Sequence, residues 1–312
     1  MYEITEQVLG EIKKVIVGKD DVIAKIWMAI LAGGHVLLDD VPGVGKTTMA
    51  MSFARALGLD VKRIQFTPDT MPSDITGFSI YDNGALKVQP GAVMTNLLLA
   101  DEINRTSAKT QSALLEAMEE GRVTIDGTTY PLPEPFVVLA TQNPVGSAGT
   151  QLLPESQLDR FLFRLHIGYP DHQSQIDLMK ARHTGNPLDK VEAVMDIARL
   201  TETIGEAEKT HVSDLIYDYI ASLCEATRSH AMVTLGVSPR ASLALCRASK
   251  AHAFLSRRDY VTPEDVQAVV QDVFSHRLVL SSKARLNEYT PELIISEILQ
   301  QVKTPVLTET NR

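Results

Sequence analysis

His35-Val36-Leu37-Leu38-Asp39-Asp40-Val41-Pro42-Gly43-Val44-Gly45-Lys46-Thr47-Thr48 is the stretch on which the fold turns. The apolar run Val36 to Leu38 predicts a short buried strand, and Lys46-Thr47 opens an amphipathic helix expected to reach about Leu57. Strand, glycine loop and helix in that order make a phosphate cradle. Gly43 and Gly45 let the backbone curl so that its N–H groups face phosphate oxygens. The helix N-terminus adds unsatisfied donors and the positive end of its dipole. Lys46 can then reach the β- and γ-phosphates, and the Thr47 hydroxyl can sit on Mg²⁺. The usual spacing G-x-x-x-x-G-K-S/T would place glycine where this chain has Asp40. A glycine-rich turn that merely precedes Lys-Thr is the alternative, but it would lack the flanking strand and helix. The reading is a nucleoside triphosphate site, with Pro42, Gly43, Val44, Gly45, Lys46, Thr47 and Thr48 around the phosphates.

Upstream, residues 3–16 and 20–32 are expected as helices, the second with Val22, Ile23, Ile26, Trp27 and Ile30 on one face and Gly33-Gly34 as its stop. Between them, Val15-Ile16-Val17-Gly18-Lys19 either floors a purine ring through Val17 and Gly18 or is an ordinary helix–helix connection.

Downstream, Val61 to Thr67 alternates as a strand does, and Pro68, Pro72, Ser73 and Asp74 then break regular structure. Asp82-Asn83-Gly84 and Asp126-Gly127, each between β-prone runs, predict two hairpins near 76–90 and 122–132, both inserted devices. Asn96-Leu97-Leu98-Leu99-Ala100-Asp101-Glu102 holds a continuous apolar run that ends in two adjacent acids, the pattern of a strand buried on both faces of a parallel sheet. Two carboxylates at such a strand tip suit Mg²⁺ binding through water by Asp101 and polarisation of an attacking water by Glu102. The bland reading is two solvated acids at a strand end. Ser107 to Glu120 is expected as a helix stopped by Gly121. Phe136 to Thr141 is the next buried strand, ending in Gln142-Asn143-Pro144, where Asn143 either orients the attacking water or caps a turn. A last strand is expected from Phe161 to Ile167. Just before it, Arg160 is either a surface arginine paired with Asp159 or a finger that stabilises γ-phosphate charge in a neighbouring subunit.

From Asp171 onward strand signals stop. Helices are expected over about 172–183, 190–205, 211–228, 239–256, 262–277 and 290–302, which makes a separate small helical domain. Thr262-Pro263-Glu264-Asp265 is a helix start with an N-cap threonine, proline at the first position and acids in the first turn. Ser238-Pro239-Arg240 is another start, and it leaves Arg240 where the helix dipole disfavours a cation by up to about 1 kcal/mol. An anionic partner such as a triphosphate would explain Arg240; a side chain snorkelling into water is the alternative. Residues 304–312 carry no pattern and are expected as a tail.

The 312 residues are 44% hydrophobic and 22% charged, which is enough for two domains with cores. A net charge of −9 and only 5% aromatic residues argue against a broad nucleic-acid footprint. Cys224 and Cys246 lack metal-ligand spacing and are expected as buried, reduced thiols. The N-terminus, with Glu3 and Glu6, shows no signal peptide, and the longest apolar run, Ile26 to Ala32, is too short to span a bilayer. A soluble, cytoplasmic protein is expected.

An α/β nucleotide core with these motifs in this order, followed by a helical lid, resembles the AAA+ ATPases, and within them the MoxR family. The resemblance runs over nearly the whole chain. It is carried by Asp40 to Thr47, Gln65-Phe66-Thr67-Pro68-Asp69, Pro72 to Gly77, Leu99 to Arg105, Lys109 to Met118, Ala140 to Pro144, Leu158 to Phe161, Ser238 to Ala241 and Asp259 to Asp265. Asp40 is at home in that family. The resemblance implies a five-stranded parallel sheet flanked by helices over residues 1–187, a small all-α lid over 188–303, and the hairpins as family insertions. It matches Asn143 to sensor 1, Arg160 to the arginine finger and Arg240 to sensor 2. It further implies ATP and Mg²⁺ bound between core and lid, ATP hydrolysis, a homo-oligomeric ring, usually a hexamer, and chaperone-like maturation of client proteins. A partner with a von Willebrand factor A domain is typical, and metal insertion into enzymes recurs as a theme. Two other classes stay open: a nucleic-acid-associated motor, and an assembly scaffold that hydrolyses slowly.

Overall fold

The computed structural model describes residues 2–39, 43–82, 84–142, 153–183 and 185–306. Helices α1 (Tyr2–Lys13) and α2 (Asp20–Leu31) lead into β1 (Val36–Asp39) and α3 (Lys46–Ala56). Strand β2 (Val61–Gln65), the turn α4 (Pro72–Thr76), the hairpin β3 (Gly77–Asp82) and β4 (Ala85–Pro90), and β5 (Leu97–Asp101) follow. Next come α5 (Ala108–Glu120), the hairpin β6 (Arg122–Ile125) and β7 (Thr128–Pro131), β8 (Val137–Gln142), α6 (Glu155–Leu158) and β9 (Phe163–Leu165). The remainder is α7 (His172–His183), α8 (Ile197–Glu208), α9 (Asp214–Ser229), β10 (Val233–Leu235), α10 (Pro239–Leu255), α11 (Pro263–Phe274), β11 (Val279–Leu280), α12 (Ser282–Leu286) and α13 (Pro291–Gln301).

The central sheet is five-stranded in the order β2-β5-β8-β1-β9 and parallel throughout. The three inner strands are the continuous apolar runs, and their side chains divide by parity. Val36, Leu38, Leu97, Leu99, Val137 and Leu139 enter one core, whereas Leu37, Leu98, Ala100, Val138 and Ala140 enter the other. The first core takes in α1, α2 and α3 and continues without a break into α8, α9, α10, α11 and α13. The lid therefore shares its apolar interior with the nucleotide core instead of closing a separate one. The second core lies under α5, Phe66, Ile75 and the buried face of β6.

Helix starts follow their caps. The Thr262 capping box is present, with the Asp265 carboxylate accepting from the Thr262 N–H at 2.7 Å. Burial alone would raise the Asp265 carboxyl, but bonds from His252, Arg258 and Thr262 outweigh it and bring the group down to about 2. Asp196, accepting from Arg199 N–H at 2.8 Å, starts α8 several residues later than expected. Strand β9 is shorter than expected because the carbonyls of Phe161 and Leu162 accept from Arg277. The short antiparallel pair β10–β11 was not announced by the sequence, since strands of three and two residues are too short to show alternation. Cys224 is buried, its thiol pushed up to about 11 by desolvation, while Cys246 is half-buried; both are free thiols. Among the described residues, no helix is long and apolar enough to cross a membrane.

Candidate nucleotide site

Helix α3 begins directly after Gly45, whose φ of 96° lies in the left-handed region that glycine adopts without strain. Its first turn, Lys46-Thr47-Thr48, faces a cavity of about 310 Å³ together with Gly43 and Gly45. The opposite wall is Asp101 and Glu102 from the end of β5, Thr141 from β8, and Arg63 and Gln65 from β2. The parallel register brings these tips level, since Gln65 lies beside Asp101. Apart from Arg63, which sits mid-strand and reaches Asp101 with its side chain, they lie at the carboxyl ends of the strands, where open parallel sheets bind ligands.

Asp101 is buried, and its two oxygens differ. Oδ2 pairs with Arg63 Nε at 2.7 Å, and Oδ1 accepts from the Thr141 hydroxyl at 3.3 Å. That same hydroxyl accepts the Glu102 N–H at 2.9 Å. Glu102 has φ 57° and ψ 46°, a left-handed backbone in a non-glycine residue that costs on the order of 1 kcal/mol. The twist turns its side chain off the strand, where Arg105 Nη1 lies 2.7 Å from Oε2. Among the described residues, no cluster of three or more histidine, cysteine or carboxylate groups could hold a metal by itself. The hard oxygen donors Thr47 and Asp101 beside a phosphate cradle fit a magnesium–phosphate complex, in which phosphates and water complete the shell.

The glycine loop is also one wall of a second cavity of about 220 Å³, lined on its apolar side by Val15, Ile16, Val17, Pro170 and Leu178. A polar cavity and an apolar one meeting at the loop suit a nucleotide's phosphates and base. Val17 faces that cavity. Gly18 instead packs on α7 with φ 71°, and a Cβ there would lie 2.2 Å from Ser174 Oγ. Pro42, Asp40 and Asn143 lie outside the described residues.

Arg160 and Arg240 meet each other, but not this site. Both line a third cavity of about 240 Å³ with Glu119, Asp159, Arg247 and Arg277. Glu119 bridges them, with Oε2 3.3 Å from Arg160 Nη2 and Oε1 bonded to Arg240 Nη2. The anion facing Arg240 within its own chain is thus a carboxylate. Arg160 pairs with Glu119, while its neighbour Asp159 pairs with Arg277 at 2.7 Å. His35 closes this cavity's floor. Its Nδ1 accepts the Val138 N–H at 3.1 Å, which leaves Nε2–H to donate to Met118 O at 3.1 Å. Burial holds its imidazole down to about 4, so it is neutral at pH 7.

This arginine cluster lies at the amino ends of β1 and β9, where Leu162 N–H donates to His35 O at 2.8 Å. The phosphate cradle follows the carboxyl end of β1. The four residues of β1 separate the two edges by about 13 Å of strand.

The composition and spacing of the chain did not single out Arg63, Glu119 or Arg277. Arg63 shares the alternating face of β2 with Gln65, and Glu119 sits in the last turn of α5. Arg277 looks like any cation after a helix.

The AAA family (ATPases associated with various cellular activities) matches residues 35–163, and the AAA lid domain matches residues 225–298. The uncharacterised protein YeaC of Bacillus subtilis is 47% identical over 98% of this chain and 96% of its own. The chaperone MoxR1 of Mycobacterium tuberculosis is 42% identical over 96% of this chain and 82% of its own. The crystal structure of a candidate ATPase from Cytophaga hutchinsonii superposes with a TM-score of 0.92 at 40% identity, covering 98% of this chain and 96% of that one.

Proposed function

The chain belongs to the MoxR family of AAA+ ATPases, and from that premise we propose that it hydrolyses ATP at a site completed by a second copy of itself. In this reading residues 1–187 are the nucleotide-binding core, 188–303 the lid and 304–312 a tail. The observation that carries the proposal is the position of the two half-sites on opposite edges of one sheet: one copy cannot bring Arg160 to its own Lys46 and Asp101.

The chemistry follows from the residues. Loop N–H groups from Gly43 to Thr47, the α3 dipole and Lys46 neutralise phosphate charge. Thr47, and Asp101 through water, would hold Mg²⁺, which would neutralise phosphate charge. Glu102 swings from Arg105 to take the proton of the attacking water, and Asn143 orients that water. Val17 covers the base. Arg160 and Arg240 leave Glu119 and reach the triphosphate of the adjoining copy. A closed ring, hexameric in this reading, gives every site its neighbour. Chaperone-like remodelling of client proteins, with a von Willebrand factor A domain partner, is the proposed use of the cycle. The likeness to a relative named as a chaperone supports it.

The test is ATPase rate per subunit against protein concentration, with oligomer mass followed in parallel. A shared site predicts specific activity that rises as assemblies form. A constant rate on a monomer overturns it. Glu102→Gln is expected to keep ATP bound and lose on the order of 10²- to 10⁴-fold in turnover. Added nucleic acid is expected to leave the rate unchanged.

A further inference from the structure

We propose that Arg277 is a positioning residue: through Asp159 and the backbone on either side of Arg160, it aims the Arg160 guanidinium out of the subunit toward the neighbour. The proposal rests on the reading of Arg160 as serving an adjoining site.

Arginine is rarely enclosed unless its donors are matched, and the Arg277 side chain is only 2% exposed. Its Nε donates to Asp159 Oδ1 at 2.7 Å, and its Nη2 to Asp159 O at 3.0 Å and to Phe161 O. Its Nη1 donates to Leu162 O at 3.3 Å and to Val273 O, one turn back along its own chain. Four of these bonds end on residues 159, 161 and 162, flanking Arg160 on both sides. Arg277 does not bond the Arg160 side chain itself, and its effect is on the segment that carries that side chain.

The same carboxylate reaches the second arginine. Asp159 Oδ2 accepts from Ser238 Oγ at 2.8 Å, and Ser238 is the N-cap of α10, two residues before Arg240. One lid arginine therefore fixes the core segment bearing Arg160 and, through Asp159, the helix start bearing Arg240. Their guanidiniums converge on Glu119 as a result. A planar fork with five donors can satisfy a carboxylate and four carbonyls at once, whereas an ammonium group has three donors and no fork. Burial lowers the Arg277 pKa to about 10, which leaves it charged at neutral pH.

The experiment uses the full chain carrying Arg277→Lys, with Asp159→Asn as the second variant should the first not fold, and Arg160→Ala as control. Each is assayed for binding of a fluorescent ATP analogue, for ATPase rate, and for rate after mixing in equal amounts with the Glu102→Gln subunit. That subunit cannot hydrolyse but keeps Asp159, Arg160 and Arg277. The expected result is analogue binding within twofold of the parent chain, at least a tenfold loss of kcat, and recovery of rate on mixing, as for Arg160→Ala. Misfolding or damage to the subunit's own phosphate cradle would not recover. Hydrolysis within twofold of the parent overturns the proposal, and so does a loss that mixing fails to restore while Arg160→Ala is restored. If Arg160→Ala is not restored either, the reading of Arg160 as serving a neighbour falls, and this proposal with it.

Discussion

At the carboxyl edge of the sheet the polar groups are loop amides, Lys46, three threonine hydroxyls, Gln65, the carboxylates Asp101 and Glu102, and Arg63, whose guanidinium is already paired with Asp101. At the amino edge they are the guanidiniums of Arg160, Arg240, Arg247 and Arg277, balanced by Glu119 and Asp159. The first set suits phosphates and a metal ion, but the charge that develops on a transferring phosphoryl group also calls for a mobile cation. The second set supplies cations and lacks a cradle. Strand direction keeps the two sets apart within one chain, so the difference between the edges is itself the reason to expect a shared site.

Removing Arg160 breaks the comparison hardest. Arg160→Ala is expected to lower kcat on the order of 10³-fold while ATP binding stays near parental, and Arg240→Ala by about 10²-fold. Loss of binding in either variant, measured with a fluorescent nucleotide, would join the edges within one chain and undo the argument.

A second break comes from pH, through His35 beneath the arginine cavity. The unfolded imidazole takes up a proton near its ordinary 6.5, but the folded one resists until about 4. Stability is therefore fully present above pH 6.5 and falls as pH drops through this window, by on the order of 3 kcal/mol. His276, held well below its ordinary value by burial and by the neighbouring Arg277, acts in the same direction. In denaturant unfolding at pH 7, 5.5 and 4.5, His35→Gln is expected to show a shallower decline. Gln can still accept from Val138 and donate to Met118. An unchanged slope would count against a neutral His35.

The smallest effect sharpens the comparison. The ion pairs of Glu119 with Arg160 and Arg240 are partly exposed, and such pairs contribute roughly 0.2–1 kcal/mol each. Glu119→Gln frees both guanidiniums for an adjoining triphosphate and is expected to lower the concentration for ATP-dependent assembly about threefold. A rise in that concentration would mean that Glu119 organises the arginines instead of competing for them.

Local patterns carried much of this. The fourteen residues from His35 to Thr48 announce strand, loop and helix because each needs only its own neighbours: apolar run, glycine φ, helix register. Leu97 to Ala100 reads as an inner strand because burial on both faces leaves no polar position before Asp101. The hairpins are legible from Asp82-Asn83-Gly84 and Asp126-Gly127. The Arg160–Glu119 and Arg277–Asp159 pairs were not legible, because their members are 41 and 118 residues apart. Nor was the late start of β9, because a carbonyl claimed by a distant guanidinium leaves no mark on a strand's own sequence.

The sequence by itself determined the glycine loop between strand and helix, the paired acids, the five strands of the central sheet and the family, since these rest on spacing along the chain. Only the tertiary structure decided that the arginines stand at the opposite edge from the cradle and that the lid shares the core's apolar interior. Both follow from strand direction and from side chains that meet only once distant helices have packed, and short-range periodicity encodes neither.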